Sequence, residues 1–205
     1  MPPDLDAWEP WRPAELAARL ATYDLTWYVA GGWALDLWYG EQTREHEDIE
    51  FAIPRTGFDR LRLHFAGLEL YAAGNGSVDR LAPDGAPDPG YRQVWVFDPA
   101  ARRWRTDIFL DPGDGDTWVS HRDRRLRRPY REAVARTADG IPYLCPEVVL
   151  LYKAKARRDK DEADFDRALP RLDPPARRWL AGALDLLHPG HGWRPRITDV
   201  PGRYA

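Results

Sequence analysis

Residues 29–53, VAGGWALDLWYGEQTREHEDIEFAI, are the most informative part of this chain. They combine a Gly-Gly turn after an apolar strand, a helical pattern, and two carboxylates, Asp48 and Glu50, on a second predicted strand. Side chains two positions apart in a strand share a face, so both carboxylates are expected to point to the same side. Two such carboxylates repel each other unless a cation lies between them, and a divalent metal that carries a triphosphate is the usual cation. The stretch therefore predicts a site for a metal and a nucleotide.

The hydrophobic pattern around this stretch predicts an α/β (α+β) fold. Helices are predicted at residues 13–23, 33–39 and 57–66, and strands at residues 27–30, 46–53, 68–72, 93–97 and 103–110. Residues 74–90 are rich in Gly, Pro and Asp, which predicts a loop. After residue 141 the pattern is helical, with helices predicted at residues 146–157, 159–169 and 174–188. Residues 1–140 are thus expected to form a catalytic domain with a mixed sheet, and residues 141–205 a helical region that completes its cleft.

Composition narrows the class of protein. The 205 residues are 43% hydrophobic, which is enough for the core of one domain or two small ones. The net charge of −3 gives no global basic field, so a membrane or nucleic acid is not the expected partner. The single cysteine, Cys145, excludes an internal disulfide and suits a reducing compartment. Without an apolar run in residues 1–13 or any window near the ~20 residues of a membrane span, a cytoplasmic protein is expected.

The Gly-Gly turn, the short helix and the Asp-x-Glu pair resemble the nucleotidyltransferase superfamily. The segments GGWALDLWYG and TREHEDIEFAI are most similar to its antibiotic branch, which includes aminoglycoside 2″-adenylyltransferases and lincosamide nucleotidyltransferases. The similarity continues more thinly through Asp107 and through residues 140–165, GIPYLCPEVVLLYKAKARRDKDEADF. The resemblance implies a nucleotidyltransferase sheet and an enzyme that uses two Mg²⁺ ions. Such an enzyme moves a nucleoside monophosphate, AMP from ATP, to a hydroxyl of a small molecule such as an antibiotic, and releases pyrophosphate.

The resemblance also implies a third carboxylate on a neighbouring strand, and Asp107 in RRWRTDIFLD is the match. Its role would be metal ligand, general base for the acceptor hydroxyl, or both. Asp111 is the competing candidate, but it precedes Pro112 at a strand end, which is typical of turns. Glu50 stands where Asp is commoner, and its extra methylene extends the carboxylate by about 1.5 Å.

Four further residues are candidate phosphate ligands. Gly31 and Gly32 allow close approach of the backbone at a helix N-terminus, although a lone Gly-Gly pair is also typical of a simple strand-to-helix turn. Arg44 lies just before the carboxylates and is within reach of a phosphate. Lys153 follows an apolar run and is expected to face the cleft, whereas most Lys and Arg lie on solvated faces.

The sequence leaves the acceptor open. Five arginines, Arg122, Arg124, Arg125, Arg127 and Arg128, either line the cleft and bind phosphate or an acidic acceptor, contact RNA, or form an exposed hairpin. Acidic loop residues, Asp79, Asp84, Asp88, Asp111, Asp114 and Asp116, instead favour a cationic acceptor such as an aminoglycoside. The sequence is also compatible with two other functions. One is a toxin-like nucleotidyltransferase that modifies tRNA or protein. The other is a catalytically silent nucleotide-binding protein, which is favoured by Glu50 at the position where Asp is commoner.

Overall fold

Short runs of alternating apolar and polar residues build the strands of the computed structural model, which describes residues 3–113 and 115–198. In that part of the chain the strands are β1 (Tyr28–Val29), β2 (Glu50–Pro54), β3 (Glu69–Gly74), β4 (Ser77–Arg80), β5 (Gln93–Asp98), β6 (Arg103–Asp111), β7 (Thr117–Val119), β8 (Arg127–Pro129), β9 (Val134–Arg136) and β10 (Pro142–Leu144). Eight of them form one sheet in the order β4-β3-β5-β6-β2-β1-β10-β9, and β7 pairs with β8. The β2–β6 and β1–β10 pairs are parallel and the others antiparallel, so the predicted mixed sheet is confirmed.

The parallel pair β2–β6 fixes the position of the carboxylates. In its register Glu50 lies opposite Asp107, and Ala52 lies opposite Phe109. The intervening side chains, such as Phe51 and Ile108, point to the other face, where they are completely buried. One face of the central sheet therefore packs into the core, while the other carries Glu50 and Asp107 side by side.

Helices cover the sheet and form the C-terminal part. They are α1 (Pro13–Arg19), α2 (Gly31–Tyr39), α3 (Phe58–Leu61), α4 (Tyr130–Ala133), α5 (Pro146–Lys153), α6 (Asp159–Ala168), α7 (Pro174–Leu187) and α8 (Trp193–Thr198). The 3₁₀ helices are Arg55–Gly57, Arg62–Phe65 and Leu169–Arg171. Helix α5 is apolar on nearly all sides and packs against α2, α6 and α7. No helix among the described residues has both the length and the apolar character that a membrane span needs.

Several predicted boundaries are wrong. The strand expected at residues 46–53 starts only at Glu50, so Asp48 lies in the irregular segment before β2. The helix expected at residues 33–39 begins two residues earlier, at Gly31. The loop expected at residues 74–90 contains β4, which pairs with β3 because Asn75 and Gly76 form a tight turn with positive φ. The helix expected at residues 146–157 ends at Lys153.

The division at residue 140 falls just before β10, which is a strand of the same sheet, and the C-terminal helices begin at Pro146. That the two parts act as a catalytic domain and a completing helical region stays a prediction.

Candidate active site

A cleft of about 270 Å³ lies over the carboxylate-bearing face of the sheet. The sheet, the start of α2 and the end of α5 all contribute to its wall. The lining residues are Tyr28, Ala30, Gly31, Glu50, Ala52, Phe109, Asp111, His121, Arg122, Leu144, Val149, Tyr152, Lys153, Lys155, Ala156 and Arg158. Carboxylates, cations and aromatic rings thus share one concave surface, which is the usual form of a small-molecule site.

The structure brings Asp48, Glu50 and Asp107 together. Burial, and after it repulsion from Asp48, raises the pKa of Glu50 to about 7. Burial also raises the pKa of Asp107 well above its usual range, with Glu50 and then Asp48 adding to the effect. Glu50 and Asp107 therefore hold protons that isolated carboxylates would release, because burial and the repulsion between neighbouring carboxylates disfavour their charged forms.

One carboxylate oxygen of Asp107 accepts a side-chain hydrogen bond, and the other does not. Its side chain is only 5% exposed. Oδ2 accepts a hydrogen bond from Gln93 Nε2 at 2.6 Å, whereas the buried Oδ1 has no partner in hydrogen-bonding geometry among the described residues. The Trp95 side chain lies close enough to lower the pKa of Asp107. An unpaired buried carboxylate oxygen is costly, so this atom is suited to a cation or a donated proton.

The carboxylate oxygens of Asp48, Glu50 and Asp107 are ligands of the kind that a divalent metal ion binds. Oxygen ligands are those that Mg²⁺ prefers, and Mg²⁺ commonly takes only one or two carboxylates and completes its shell with phosphates and water. In the described ranges no three His, Cys, Asp or Glu side chains are arranged to hold an ion by themselves. The arrangement therefore suits a metal that arrives with a triphosphate.

The Gly-Gly pair makes room for side chains of the segment that follows α2. Gly31 has φ +59°, and a Cβ there would lie 1.8 Å from Glu50 Oε2. A Cβ on Gly32 would lie 2.5 Å from both Arg44 Nη2 and His46 Cε1. The absence of a side chain at each position is thus required for Glu50, Arg44 and His46 to lie where they do.

Buried hydrogen bonds hold residues 43–46 against α2. The Asp36 carboxylate accepts hydrogen bonds from Thr43 Oγ1 at 2.6 Å and from His46 Nε2 at 2.5 Å. His46 Nδ1 accepts from Arg44 Nη1 at 3.0 Å, and burial lowers the pKa of His46, which favours the neutral ring. This network interrupts regular strand pairing, which explains why β2 starts late.

The Arg44 side chain forms an ion pair outside the cleft. Its guanidinium makes a two-pronged ion pair with Asp164 of α6, with N–O distances of 3.1 and 3.3 Å. It therefore links the segment before β2 to the C-terminal helices. Phosphate binding by Arg44 stays a prediction.

Lys153 lies in the cleft wall, on the side of the C-terminal helices. It is 9% exposed, and its Nζ lies 2.9 Å from Asp164 Oδ2 and 3.3 Å from Asp161 Oδ1. Its charge also lowers the pKa of Glu50 against the effect of burial. Lys153 is thus a buried cation near the carboxylate group, and its contact with a triphosphate stays a prediction.

Comparison with known proteins agrees with this geometry. Residues 14–70 match the family model described as Aminoglycoside-2''-adenylyltransferase, a segment that includes Gly31, Gly32, Asp48 and Glu50. A solution structure of the antibiotic-resistance factor ANT(2'')-Ia covers 84% of this chain and 89% of its own, with 14% identity and a TM-score of 0.52. The chain has the nucleotidyltransferase fold. The predicted resemblance and fold class are therefore confirmed.

Two further solved structures share the nucleotidyltransferase fold. ANT(2'')-Ia in complex with adenylyl-2''-tobramycin has 15% identity and a TM-score of 0.51, and covers 84% of this chain and 95% of its own. The lincosamide adenylyltransferase LnuA, bound to lincomycin, has 16% identity and a TM-score of 0.50, and covers 75% of this chain and 91% of its own. A search among curated protein sequences finds no match.

Asp111 was misjudged as a turn residue. It is the last residue of β6, is 4% exposed, lines the cleft and accepts a hydrogen bond from the Tyr28 hydroxyl. Burial raises its pKa to about 8. The available signal was periodicity, because Asp107, Phe109 and Asp111 alternate along one face of a strand.

His121 was not singled out by the sequence, although it lines the inner cleft. Its ring stacks on Tyr152 with centroids 4.8 Å apart, and the guanidinium of Arg122 lies 4.8 Å from the same Tyr152 ring. Burial and neighbouring arginines lower the pKa of His121 to about 4, so its ring is neutral at pH 7. A lone histidine in an arginine-rich segment carries no sequence signal for this position.

The five predicted arginines do not act as one cluster. Arg122 lines the cleft and Arg124 lines an adjoining groove, whereas Arg125 pairs with Asp123 at 2.6 Å and Arg128 pairs with Glu147 at 2.8 Å. Of the acidic loop residues, only Asp111 lies in the cleft wall; Asp114 lies outside the described residues.

Proposed function

We propose that this protein is a Mg²⁺-dependent nucleotidyltransferase that moves AMP from ATP to a hydroxyl of a small molecule and releases pyrophosphate. The observation that carries this proposal is the convergence of Asp48 and Asp107 on Glu50, which lines one cleft together with Gly31 and Lys153. The nucleotidyltransferase fold supports it.

In this proposal Asp48, Glu50 and Asp107 hold the two metal ions. Bound Mg²⁺ would neutralise charge on the triphosphate and orient its α-phosphate for in-line attack. The raised pKa values of Glu50 and Asp107 mean that both must lose their protons when the metal nucleotide binds. The free Oδ1 of Asp107 is an available oxygen for this purpose.

The transfer exchanges a phosphoanhydride bond of the triphosphate for a phosphoester bond to the acceptor. The acceptor oxygen forms a bond to the α-phosphorus while the bond from that phosphorus to the bridging oxygen of the β-phosphate breaks. The hydroxyl proton passes to Asp107, and pyrophosphate leaves with the bonding electron pair.

The remaining predicted ligands would hold the triphosphate. The first N–H groups of α2, at Gly31 and Gly32, offer donors and the positive end of the helix dipole. Lys153 would supply a cation from the opposite wall of the cleft, and Arg44 would do so only after release from Asp164. Because Lys153 comes from α5, residues 141–205 would complete the cleft of a catalytic domain at residues 1–140.

Aminoglycosides and lincosamides are the first acceptors to test. ANT(2'')-Ia has been captured with adenylyl-2''-tobramycin, and LnuA with lincomycin, so an antibiotic-resistance role is proposed for this chain by analogy. A cytoplasmic location, where ATP is abundant, is part of the proposal and agrees with the single Cys145.

Mass spectrometry of reaction mixtures tests the proposal. Purified protein, Mg²⁺ and each NTP in turn are incubated with pooled aminoglycosides and lincosamides and, separately, with pooled anionic hydroxyl compounds, alongside the Asp48→Asn variant. The matched control is Asp116→Asn, an exposed aspartate that lines no part of the cleft. We expect one acceptor to gain a nucleotide-sized mass with wild type and control, and no gain with Asp48→Asn. Full activity in a folded Asp48→Asn protein would refute the site.

The rival functions give different results in the same experiment. Nucleotide addition to purified tRNA or to a protein would indicate a toxin-like enzyme. Tight nucleotide binding without pyrophosphate release on any acceptor would indicate a catalytically silent protein.

A further inference from the structure

A groove of about 520 Å³ adjoins the cleft and is lined by three arginines from separate segments, Arg55, Arg92 and Arg124. We call it the arginine groove. Asp111 and His121 line both this groove and the cleft, so the two cavities meet at that pair. The arginine groove is therefore continuous with the proposed active site at Asp111 and His121.

The positive charge of this groove is not neutralised by ion pairs. Arg55 donates hydrogen bonds to the carbonyls of Pro87, at 3.3 Å, and Tyr91, and Arg92 donates to the carbonyl of His121 at 2.9 Å. Arg124 is exposed and forms no hydrogen bond or ion pair within the described ranges. Burial and then the charge of Arg92 lower the pKa of Arg55, which shows that these cations repel each other.

The one carboxyl group in the described lining does not offset this charge. Asp111 is almost fully buried and receives the Tyr28 hydroxyl. Burial raises its pKa to about 8, so at pH 7 it is mostly protonated and neutral. His121 Nδ1 lies 4.0 Å from Asp111 Oδ1, and its lowered pKa keeps that ring neutral as well. The groove thus presents about three positive charges to whatever enters it.

We propose that the arginine groove binds a phosphate or carboxylate of the acceptor, so that the acceptor is an anionic hydroxyl compound and not a polycation. This inference rests on the proposed nucleotidyl transfer and narrows its substrate. Arginine is suited to the role because its planar fork matches both anionic groups. A polycationic aminoglycoside would meet like charges here, which disfavours it.

The length of the acceptor follows from the strand spacing. Asp107, near the reacting centre, and Asp111, at the groove, are four residues apart on β6, which corresponds to about 13 Å. The reacting hydroxyl and the anionic group should therefore be separated by roughly that distance. This is longer than one sugar ring and fits a compound of two or three rings.

Titration with inorganic phosphate tests the groove without knowledge of the acceptor. The protein is first saturated with Mg²⁺ and a non-hydrolysable ATP analogue, so that phosphate binding at the nucleotide site cannot contribute. Phosphate, and separately kanamycin as a polycation, are then added while arginine side-chain N–H resonances are followed by NMR. We expect saturable shifts of the groove arginines with phosphate and none with kanamycin.

Matched variants assign the effect to the groove. Arg124→Gln should weaken phosphate binding about fivefold, as expected for loss of one exposed charge contact. Arg178→Gln removes one exposed charge from α7, lines neither cavity and should change nothing. Absence of saturable shifts, equal effects of the two variants, or stronger binding of kanamycin would overturn the inference.

A turnover measurement separates this inference from the proposed function. A metabolite extract is divided by ion exchange into anionic, neutral and cationic fractions, and each is incubated with protein, Mg²⁺ and ATP. A nucleotide adduct in the anionic fraction supports both claims, whereas an adduct confined to the cationic fraction or to tRNA keeps the transferase and overturns the anionic small-molecule acceptor. Saturable phosphate binding with no adduct anywhere supports the arginine groove and counts against the transferase.

Discussion

Replacement of Gly31 by alanine is expected to abolish activity through displacement of Glu50. An ideal Cβ at residue 31 lies 1.8 Å from Glu50 Oε2, and real Cβ atoms essentially never approach another heavy atom closer than 3.0 Å. The carboxylate oxygen must therefore recede by at least about 1.2 Å, and a misplacement of about 1 Å can cost 10²-fold in rate. We expect Gly31→Ala to lower the rate of pyrophosphate release by at least about 100-fold.

Gly40→Ala is the matched control for the backbone. Gly40 ends the same helix with φ +78°, close to the +59° of Gly31, but a Cβ there meets nothing within 4 Å. Both alanine variants carry the strain of a left-handed conformation, about 1–2 kcal/mol of unfolding free energy. Only Gly31→Ala also moves a proposed metal ligand, so the two should differ little in stability and greatly in turnover.

Two measurements on each variant make this comparison. Urea unfolding gives the stability, and a coupled pyrophosphate assay with Mg²⁺, ATP and the acceptor gives the rate. If the rate of Gly31→Ala stays within about threefold of that of Gly40→Ala, activity does not require the Glu50 carboxylate to lie against residue 31, which would refute its proposed role as a metal ligand.

Three further predictions concern charge. The pKa of Glu50 is raised from 4.5 to about 7, so the folded state holds an extra proton between these pH values, and the stability that this proton contributes is lost as pH rises through 7. In EDTA, the melting temperature of Glu50→Gln should therefore rise relative to that of wild type between pH 5 and pH 8. A difference in melting temperature that stays constant over this range would contradict the prediction. Lys153→Met removes the cation that Asp161 and Asp164 share, but Arg158 still pairs with Asp161 and Arg44 with Asp164. It should therefore cost about 1–3 kcal/mol in urea unfolding, whereas Lys160→Met, at an exposed pair, should cost less than about 1 kcal/mol. Mg²⁺ with an ATP analogue at ten times the dissociation constant should stabilise wild type by about 1.4 kcal/mol at pH 8, and an unchanged melting temperature would argue against a metal nucleotide site.

The three carboxylates proposed to bind metal could be singled out from the sequence because their signals are local. The Gly-Gly pair and the Asp-x-Glu spacing lie within one short stretch, and Asp107 lies within a strand pattern. The strand start at residue 46 was wrong because buried hydrogen bonds to Asp36 hold residues 43–46, and these bonds depend on tertiary packing.

The inner cleft was not predictable to the same extent. Asp111 precedes a proline, which hid its place on the same strand face as Asp107. The arginine groove is assembled from Arg55, Arg92 and Arg124, which come from three distant segments. No local sequence pattern links these three arginines, so their proximity is visible only in the folded structure.

Anomalous scattering from a crystal soaked with Mn²⁺ and a non-hydrolysable ATP analogue would show directly whether the three carboxylates bind metal. We predict a metal peak within ligand distance of Asp48, Glu50 and Oδ1 of Asp107, with phosphate oxygens in the same coordination shell. A nucleotide bound without metal at these three carboxylates, or a metal peak elsewhere in the cleft, would contradict this prediction.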